Sequence, residues 1–488
     1  MRINSRISKT ALFIYIISIA VSCKKFIEIP PPIDTITTGQ VFESNAQAEW
    51  AMAGVYSRMI NDDMGPDLPT FKGFYAGLSN IAGSLSADDL INSTGVSEVD
   101  KYVLYINALN AQNATLPSQI WKSAYKTIYD ANGVIEGIEG STSPLLSDSV
   151  RKQLTGEAKA VRAFAYFYLT NFFGDLPLVL TIDFNQTKNL SRSPQAKIYQ
   201  QIIKDLTEAK AAVAGDFSVG KNERIRINKW FAEAFLARVY LYTGQYQDAI
   251  NSATKVIGKS DLFFLETDLN RVFIKNSNEA IFQLAQYSSE MQMGTPEGKT
   301  FIPMLANYPP YFYYTDNVVN LFENTDKRKL NWMATYQESP TSPIVYYPYK
   351  YKTSRESGEP EEYYTVMRLA ELYLIRAEAN MLLSAGNTNS AIGDLNIIRQ
   401  RAGVGDLPFT LTSGEVIDAV AEERRRELLT EGAHRWFDLK RTGKASGVLS
   451  AIPYKQPWKG DYQLLYPIPK EEIDANIRLT QNPQYNNF

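Results

Sequence analysis

Apolar residues recur at helical spacing in several parts of the chain. One stripe consists of Trp121, Ala124, Ile128, Ala131 and Ile135, and another of Val161, Phe164, Ala165, Tyr168 and Leu169. Positions three, four and seven residues apart lie on one face of an α-helix. We therefore expect two amphipathic helices here, each of which buries its apolar stripe against another element.

Two further stretches have the pattern of a helical hairpin. In the first, the stripe Trp230, Ala234, Ala237 and Leu241 ends at Gly244 and is followed by Tyr246, Ala249, Ile250, Ala253, Val256 and Ile257. In the second, Leu372, Ile375, Ala379 and Leu382 precede a break at Gly386, and Ala391, Leu395 and Ile398 follow it. Hairpins of this tetratricopeptide type stack to share a core. The predicted fold is mostly α, a discontinuous scaffold of tetratricopeptide-like helical hairpins with long, loop-rich ligand-binding inserts.

The segment 296–360 differs in composition from these helical stretches. It contains eight of the 23 prolines and nine of the 30 tyrosines. Because proline disfavours helix interiors, regular helix is not expected in this segment. Long ordered loops inside a compact protein usually carry function. We therefore predict that this aromatic insert contains the ligand-binding region.

The same patterns divide the chain into six segments. These are a lipoprotein signal peptide (1–22), a lipid anchor and tether (23–40), an N-terminal helical region (41–225), the first hairpin with the start of the insert (226–295), the aromatic insert (296–360) and a C-terminal helical region (361–488).

The N-terminal residues have the pattern of a secreted lipoprotein. Three positive charges lie between Arg2 and Lys9, and the apolar run 11–21 that follows is too short to span a bilayer. Cys23 is the only cysteine, and the run from Ala20 to Cys23 resembles a bacterial lipobox, with alanine where leucine is commoner. We expect cleavage after Ser22 and acylation of Cys23, which would anchor the protein to a membrane. The alternative is a buried free cysteine.

Composition and charge argue against several classes of function. With 50 Lys and Arg against 53 Asp and Glu, the chain has no basic field that would hold nucleic acid. Thirty tyrosines stand beside one histidine and one cysteine, which favours contact through aromatic rings over proton transfer or metal ligation. No catalytic residue, metal site or cofactor is predicted, and His434 is interpreted as a structural residue.

Aromatic rings and polar side chains together supply the candidate site. The apolar face of a sugar can lie on an exposed ring while its hydroxyl groups bind nearby polar groups. The predicted ligand-binding residues are the aromatic residues Tyr287, Tyr308, Tyr311, Tyr313 and Trp332 and the polar residues Asn80, Asp88 and Asp89. For each ring, the alternative is packing beneath its own loop.

Charged residues concentrate between Glu422 and Asp438. Opposite charges lie four residues apart in Glu422 with Arg426 and in Glu431 with Arg435, which predicts ion pairs along a helix. We interpret the run as a charge network that fixes the scaffold, and an anion or phosphate site is the alternative.

Three segments resemble the SusD/RagB family. The first runs from Glu157 to Leu178, the second joins 368–379 to 422–431 and 435–443, and the third comprises 465–469 and 481–483. The first contains Phe173-Gly-Asp-Leu-Pro177, similar to the family's Phe-Gly-Asp-x-Pro motif, and the third contains Leu465-Tyr-Pro-Ile-Pro469. Their order and spacing together make the match specific.

The resemblance implies a SusD-like, mostly helical body anchored to the outer membrane and facing the cell exterior. It also implies binding of an oligosaccharide or polysaccharide for a SusC-type TonB-dependent transporter, and no enzymatic activity. Lys24 and Lys25 follow Cys23 where surface lipoproteins of the family often carry acidic residues. A peptide receptor of the same architecture is one alternative. A glycoside hydrolase is another, although it would need two carboxylates that face each other across a cleft.

Overall fold

The computed structural model describes residues 41–61, 73–286, 294–305, 307–354 and 359–485. The helices are α1 (Asn45–Asn61), α2 (Asn80–Ser86), α3 (Val99–Tyr105), α4 (Thr115–Gly140), α5 (Asp148–Phe173), α6 (Phe184–Thr187), α7 (Gln195–Ala212), α8 (Lys229–Tyr242), α9 (Tyr246–Ile257), α10 (Pro296–Phe301), α11 (Asp316–Val319), α12 (Lys327–Trp332), α13 (Leu369–Leu383), α14 (Thr388–Ala402), α15 (Ser413–Glu427), α16 (His434–Arg441), α17 (Ala445–Leu449) and α18 (Lys470–Ala475). The strands are β1 (Leu90–Asn92), β2 (Leu176–Pro177), β3 (Arg192–Ser193), β4 (Ala280–Leu284), β5 (Phe312–Tyr314), β6 (Met333–Tyr336), β7 (Val345–Pro348) and β8 (Tyr364–Arg368). The prediction of a mostly α-helical protein is confirmed.

The long helices contact one another in chain order. Helix α4 contacts α5, α5 contacts α7, α7 contacts α8, and α8 contacts α9. After the insert, α13 packs on α9, and α14 and α15 pack on α13. Both predicted helical hairpins are present. The turn between α8 and α9 contains Gly244 at φ +74°, a conformation that favours glycine.

The predicted apolar stripes on α4 and α5 lie in the core. Every residue of the two stripes on α4 and α5 is buried. Aromatic side chains also fill this core, since the ring of Tyr75 makes edge-on contacts with Phe164 at 4.7 Å and with Tyr168 at 4.9 Å between ring centroids. Many of the tyrosines that dominate the composition therefore stabilise the fold.

The aromatic insert contains short elements of both kinds. All four strand pairs of the described residues are antiparallel: β1 with β5, β2 with β3, β4 with β8, and β6 with β7. The expectation that regular helix would be absent from 296–360 is wrong, because α10, α11 and α12 lie there. Thr295 caps α10, which begins with Pro296, and Asp326 accepts a hydrogen bond from the Arg328 backbone at the start of α12. Helix α10 tolerates Pro296 because proline fits the first turn of a helix. The side-chain caps stabilise the starts of α10 and α12.

One of the two predicted helical ion pairs is present. The Nη2 atom of Arg426 lies 2.8 Å from Oε2 of Glu422. The predicted pair of Glu431 with Arg435 is wrong, because α15 already ends at Glu427. Beyond it, Thr430 has a φ angle of 53° and Ala433 one of 59°. The chain therefore leaves the helical path between the two charges.

Glu431 instead binds Arg368 and Lys350, and Arg435 binds Asp88. Near them Glu427 accepts hydrogen bonds from Arg328, Arg368 and Arg401. The charged run thus joins elements that are far apart in sequence, as expected of a network that fixes the scaffold. Among the helices of the described residues, none is both long and apolar enough to cross a membrane.

Candidate ligand-binding surface

Strand β5 and the residue that precedes it present two tyrosine rings on one face. Successive side chains of a strand point to opposite faces, and here Phe312 and Tyr314 are buried whereas Tyr313 is half-buried and Tyr311 is 60% exposed. The backbone at Tyr311 is well held, because Ser93 donates hydrogen bonds to its carbonyl oxygen from the amide at 3.0 Å and from Oγ at 2.9 Å. An exposed ring is thus mounted on an ordered backbone.

Three half-buried tyrosines from outside the insert adjoin this face. The rings of Tyr105 and Tyr454 stack with 4.4 Å between their centroids, and the ring centroid of Tyr102 lies 6.4 Å from that of Tyr105. Burial, followed by the nearby phenol groups of Tyr313 and Tyr102, raises the pKa of Tyr105 to about 12. We refer to the residues Tyr102, Tyr105, Tyr311, Tyr313 and Tyr454 as the tyrosine surface.

A buried lysine fixes the base of the tyrosine surface. The Nζ atom of Lys455 donates hydrogen bonds to the carbonyl oxygens of Leu85 and Tyr105, each at 2.8 Å, and of Ser86 at 3.2 Å. It therefore ties the segment that follows Tyr454 to the C-terminal ends of α2 and α3. The relative positions of Tyr105 and Tyr454 depend on this connection.

The predicted aromatic residues have different environments. Tyr308 is 56% exposed in a turn just before β5, and Tyr311 and Tyr313 belong to the tyrosine surface. Tyr287 and Cys23 lie outside the described residues. Trp332 is only 2% exposed, and its Nε1 donates a hydrogen bond to the carbonyl oxygen of Leu269 at 3.0 Å. A ligand contact does not fit that position, and we assign Trp332 to the core.

The three predicted polar residues are also buried. The side chain of Asn80 donates hydrogen bonds to Glu297 at 2.6 Å and to the Tyr364 hydroxyl at 3.3 Å. Arg435 holds Asp88, and Arg425 holds Asp89 at 3.0 Å. We therefore correct the assignment of Asn80, Asp88 and Asp89 from ligand contacts to structural residues.

Asp88 and Asp89 nevertheless support the surface from behind. Burial alone would raise the pKa of Asp88, but the positive charges of Arg425 and Arg435 hold it below its ordinary value. The backbone carbonyl oxygens of both residues accept hydrogen bonds from Thr315, at 2.9 Å for Asp88 and 3.0 Å for Asp89. The backbone of Asp88 and Asp89 thus holds together the segments that lead into β1 and out of β5.

Sequence reasoning missed Tyr102, Tyr105 and Tyr454. The first two lie one helical turn apart on α3, and Tyr454 stands between Pro453 and Lys455 in a short 3-10 helix. Only the pairing of β1 with β5 and the packing of the C-terminal segment bring them beside Tyr313. The local signal, two tyrosines at helical spacing, does not distinguish them from core residues.

Stacking and hydrogen bonding are the chemistry that this arrangement offers. Exposed rings can contact the apolar face of a sugar without any titrating group. Within the described ranges, no cluster of three or more His, Cys, Asp or Glu side chains could hold a metal ion. His434 is buried away from this surface, and burial lowers its pKa to about 4.

Comparison with known proteins gives consistent matches. The model of the SusD family matches residues 282–485, and a model described as "Starch-binding associating with outer membrane" matches residues 75–241. SusD-like protein P2 of Formosa agariphila is 26% identical over 97% of this chain and 99% of its own length. The starch-binding protein SusD of Bacteroides thetaiotaomicron is 25% identical over 72% of this chain and 76% of its own.

Solved structures share the fold. A SusD superfamily protein from Bacteroides vulgatus superposes with a TM-score of 0.75 at 22% identity, covering 91% of this chain and 99% of that one. A laminarin-binding SusD-like protein superposes with a TM-score of 0.74 at 24% identity, covering 91% of this chain and 100% of that one. The helical array and its inserts are thus an established architecture.

Proposed function

The chain belongs to the SusD/RagB family, and we propose that it binds an oligosaccharide or polysaccharide at the tyrosine surface. The observation that carries this proposal is the 60% exposure of Tyr311, whose backbone is held by Ser93 just before β5. Tyr313 follows two residues later, and the stacked rings of Tyr105 and Tyr454 lie near Tyr313. An apolar ring left in water costs free energy that a stacked sugar would recover. The names of two similar proteins, one binding starch and one laminarin, also favour a glycan.

Isothermal titration calorimetry tests the ligand class. The protein would be titrated with soluble starch, laminarin and a panel of other polysaccharides, and separately with mixed peptides. Saturable heat with a polysaccharide and none with peptides is the expected result. Binding of peptides alone would replace the glycan by the peptide alternative while leaving the architecture unchanged.

We further propose that the protein is anchored through Cys23, faces the cell exterior and delivers its ligand to a SusC-type TonB-dependent transporter. The outer-membrane association in the description of the family model that matches residues 75–241 supports this location. Replacing Cys23 with Ala should move the protein from the membrane fraction to the soluble fraction. A variant that stays in the membrane fraction would contradict the anchor. Recovery of a SusC-type transporter with the tagged parent protein tests the partner.

We propose that binding occurs without catalysis. Three carboxylates that could serve a glycosidase are engaged in ion pairs: Asp88 and Asp89 bind Arg425, and Glu423 binds Arg328. The bound glycan should therefore remain intact over hours when it is followed by chromatography. Steady product release that disappears in Asp88→Asn, Asp89→Asn, Glu422→Gln or Glu423→Gln would overturn this proposal.

A further inference from the structure

A cavity of about 390 Å³ lies where α8, α9, α13, α15 and α16 meet. This volume falls within the range of small-molecule sites, roughly 300 to 1,000 Å³. Leu382 and Ile417 line it and are 42% and 40% exposed, so the cavity reaches the protein surface between α13 and α15. None of its lining residues belongs to the tyrosine surface.

Apolar side chains form much of the cavity wall. Leu241, Met381, Val420 and Leu439 line it together with Leu382 and Ile417. Side chains of this kind gain free energy when they cover an apolar molecule. The body of a molecule that fills the cavity should therefore be apolar.

The polar part of the wall is rich in hydrogen-bond donors. Arg424, Arg425 and Arg435 all line the cavity and all bind carboxylates through Nε and Nη2. Among the described residues, the Nη1 groups of these three arginines donate no hydrogen bond. That of Arg424 has no hydrogen-bond partner among the described residues although it is buried.

The acidic residues of the wall are already occupied. Asp438 accepts hydrogen bonds from Arg424 and Arg441, and Glu378 accepts two from Arg441. Lys444 also lines the cavity, and it pairs with the exposed Asp418 at 3.2 Å. The cavity therefore offers donors rather than acceptors, and a complementary ligand must bring the acceptors. A carboxylate matches guanidinium donors in charge and geometry.

We propose that this cavity binds an amphipathic organic anion, a molecule with a carboxylate on an apolar body. The carboxylate lies against the arginine side of the wall, and the apolar body lies against the leucines and reaches the mouth at Leu382 and Ile417. This site is distinct from the tyrosine surface and does not depend on the glycan proposal.

Calorimetry with decanoate, below the concentration at which it aggregates, tests the proposal, and decanol provides the uncharged comparison. Decanoate should bind with one site per chain. It should bind roughly tenfold or more tightly than decanol, since hydrogen bonds to charged groups are stronger than those between neutral groups. Absence of saturable decanoate binding, or equal affinity for decanol, would overturn the proposal.

Variants in the cavity wall locate the binding. Ala421→Trp fills the cavity, and decanoate binding should be lost. Gly414→Trp is the matched control, because Gly414 lies on the same helix, does not line the cavity and has open space around its Cβ position. Ile417→Asp places a negative charge at the partly exposed mouth and should weaken decanoate binding even if Ala421→Trp fails to fold. Folded Ala421→Trp or Ile417→Asp that binds decanoate like the parent would contradict this site.

Discussion

Arg435 and Asp88 lie 347 residues apart in the sequence and form a two-point ion pair. The Nε atom of Arg435 donates to Oδ1 of Asp88 at 2.7 Å, and Nη2 donates to Oδ2 at 3.1 Å. Asp88 also binds Arg425 at 2.9 Å. One buried carboxylate therefore joins α15 and α16 to the segment that leads into β1 and the tyrosine surface.

Asp88→Asn should lower the free energy of unfolding by about 3 to 5 kcal/mol, because removing one partner of a buried ion pair leaves the other charges uncompensated. Urea unfolding followed by circular dichroism measures this change. Asp418→Asn is the matched control, since Asp418 pairs with Lys444 at an exposed site. It should change stability by less than about 1 kcal/mol. Equal effects of the two substitutions would contradict the structural role of Asp88.

Glu431 should make the protein sensitive to acid. Burial would raise the pKa of Glu431, but Arg368 and Lys350 together lower it to about 2. The stabilisation from a carboxyl group whose pKa is lowered on folding is complete above its unfolded value of about 4.5 and is lost as the pH falls toward 2. We expect a loss of about 3 kcal/mol across this window from this group. Urea unfolding at pH 7, 5 and 3.5 measures the first part of this loss, about 1.4 kcal/mol, because in this range only the unfolded chain takes up the proton.

The substitution Glu431→Gln isolates this contribution. The variant should be less stable than the parent at pH 7, and the difference should shrink at pH 3.5, because Glu431 of the unfolded parent chain is then largely protonated, which favours the unfolded state. Glu422→Gln, at an exposed pair on α15, should leave the pH dependence unchanged. A constant difference between Glu431→Gln and the parent at all three pH values would contradict the pKa shift.

Glu297 should make the protein less stable as the pH rises, whereas Glu431 makes it less stable in acid. Burial raises its pKa to about 7, although Asn80 and the Gly77 amide donate hydrogen bonds to Oε1, and Oε2 has no partner among the described residues. Between about pH 4.5 and 7 the folded protein holds this proton more tightly than the unfolded chain. The stabilisation is therefore complete below pH 4.5 and is lost as the pH rises through 7.

Glu297→Gln retains the shape of the protonated side chain and removes the titration. Its melting temperature should fall less than that of the parent between pH 5 and pH 8. Differential scanning calorimetry at the two pH values makes the comparison. If parent and variant lose the same number of degrees, Glu297 does not titrate in this range.

Periodicity allowed the helical part of the fold to be predicted from the sequence. The stripes that contain Trp121 and Phe164 are buried as expected, because a regular spacing assigns each residue to one face of a helix. In the stripe that contains Leu372, every residue except Leu382 is buried. In the insert no such regularity exists. The sequence therefore offers the same reason to predict ligand contact for Trp332 and Tyr311, namely an aromatic side chain in the insert. In the structure Trp332 is buried and Tyr311 is exposed.

The composition of the site could be predicted only in part. Of the residues of the candidate surface, Tyr311 and Tyr313 were predicted because they lie in a segment rich in tyrosine and proline. Tyr105 and Tyr454 were not, because they reach Tyr313 only through contacts between segments far apart in sequence. Asp88 and Asp89 appeared available for ligand because the arginines that bind them lie more than 300 residues later.

The double substitution Tyr311→Ala and Tyr313→Ala tests glycan binding at the tyrosine surface most directly. Calorimetry would use the polysaccharide that the parent binds, and Tyr129→Ala, which removes a 48% exposed tyrosine on α4, is the matched control. Loss of contact rings should cost about 1 to 3 kcal/mol, an affinity roughly 5- to 150-fold lower, while the melting temperature stays near the parental value. Tyr129→Ala should bind like the parent. Parental affinity in the folded double variant, together with a lowered melting temperature, would show that these rings stabilise the fold and that the glycan binds elsewhere.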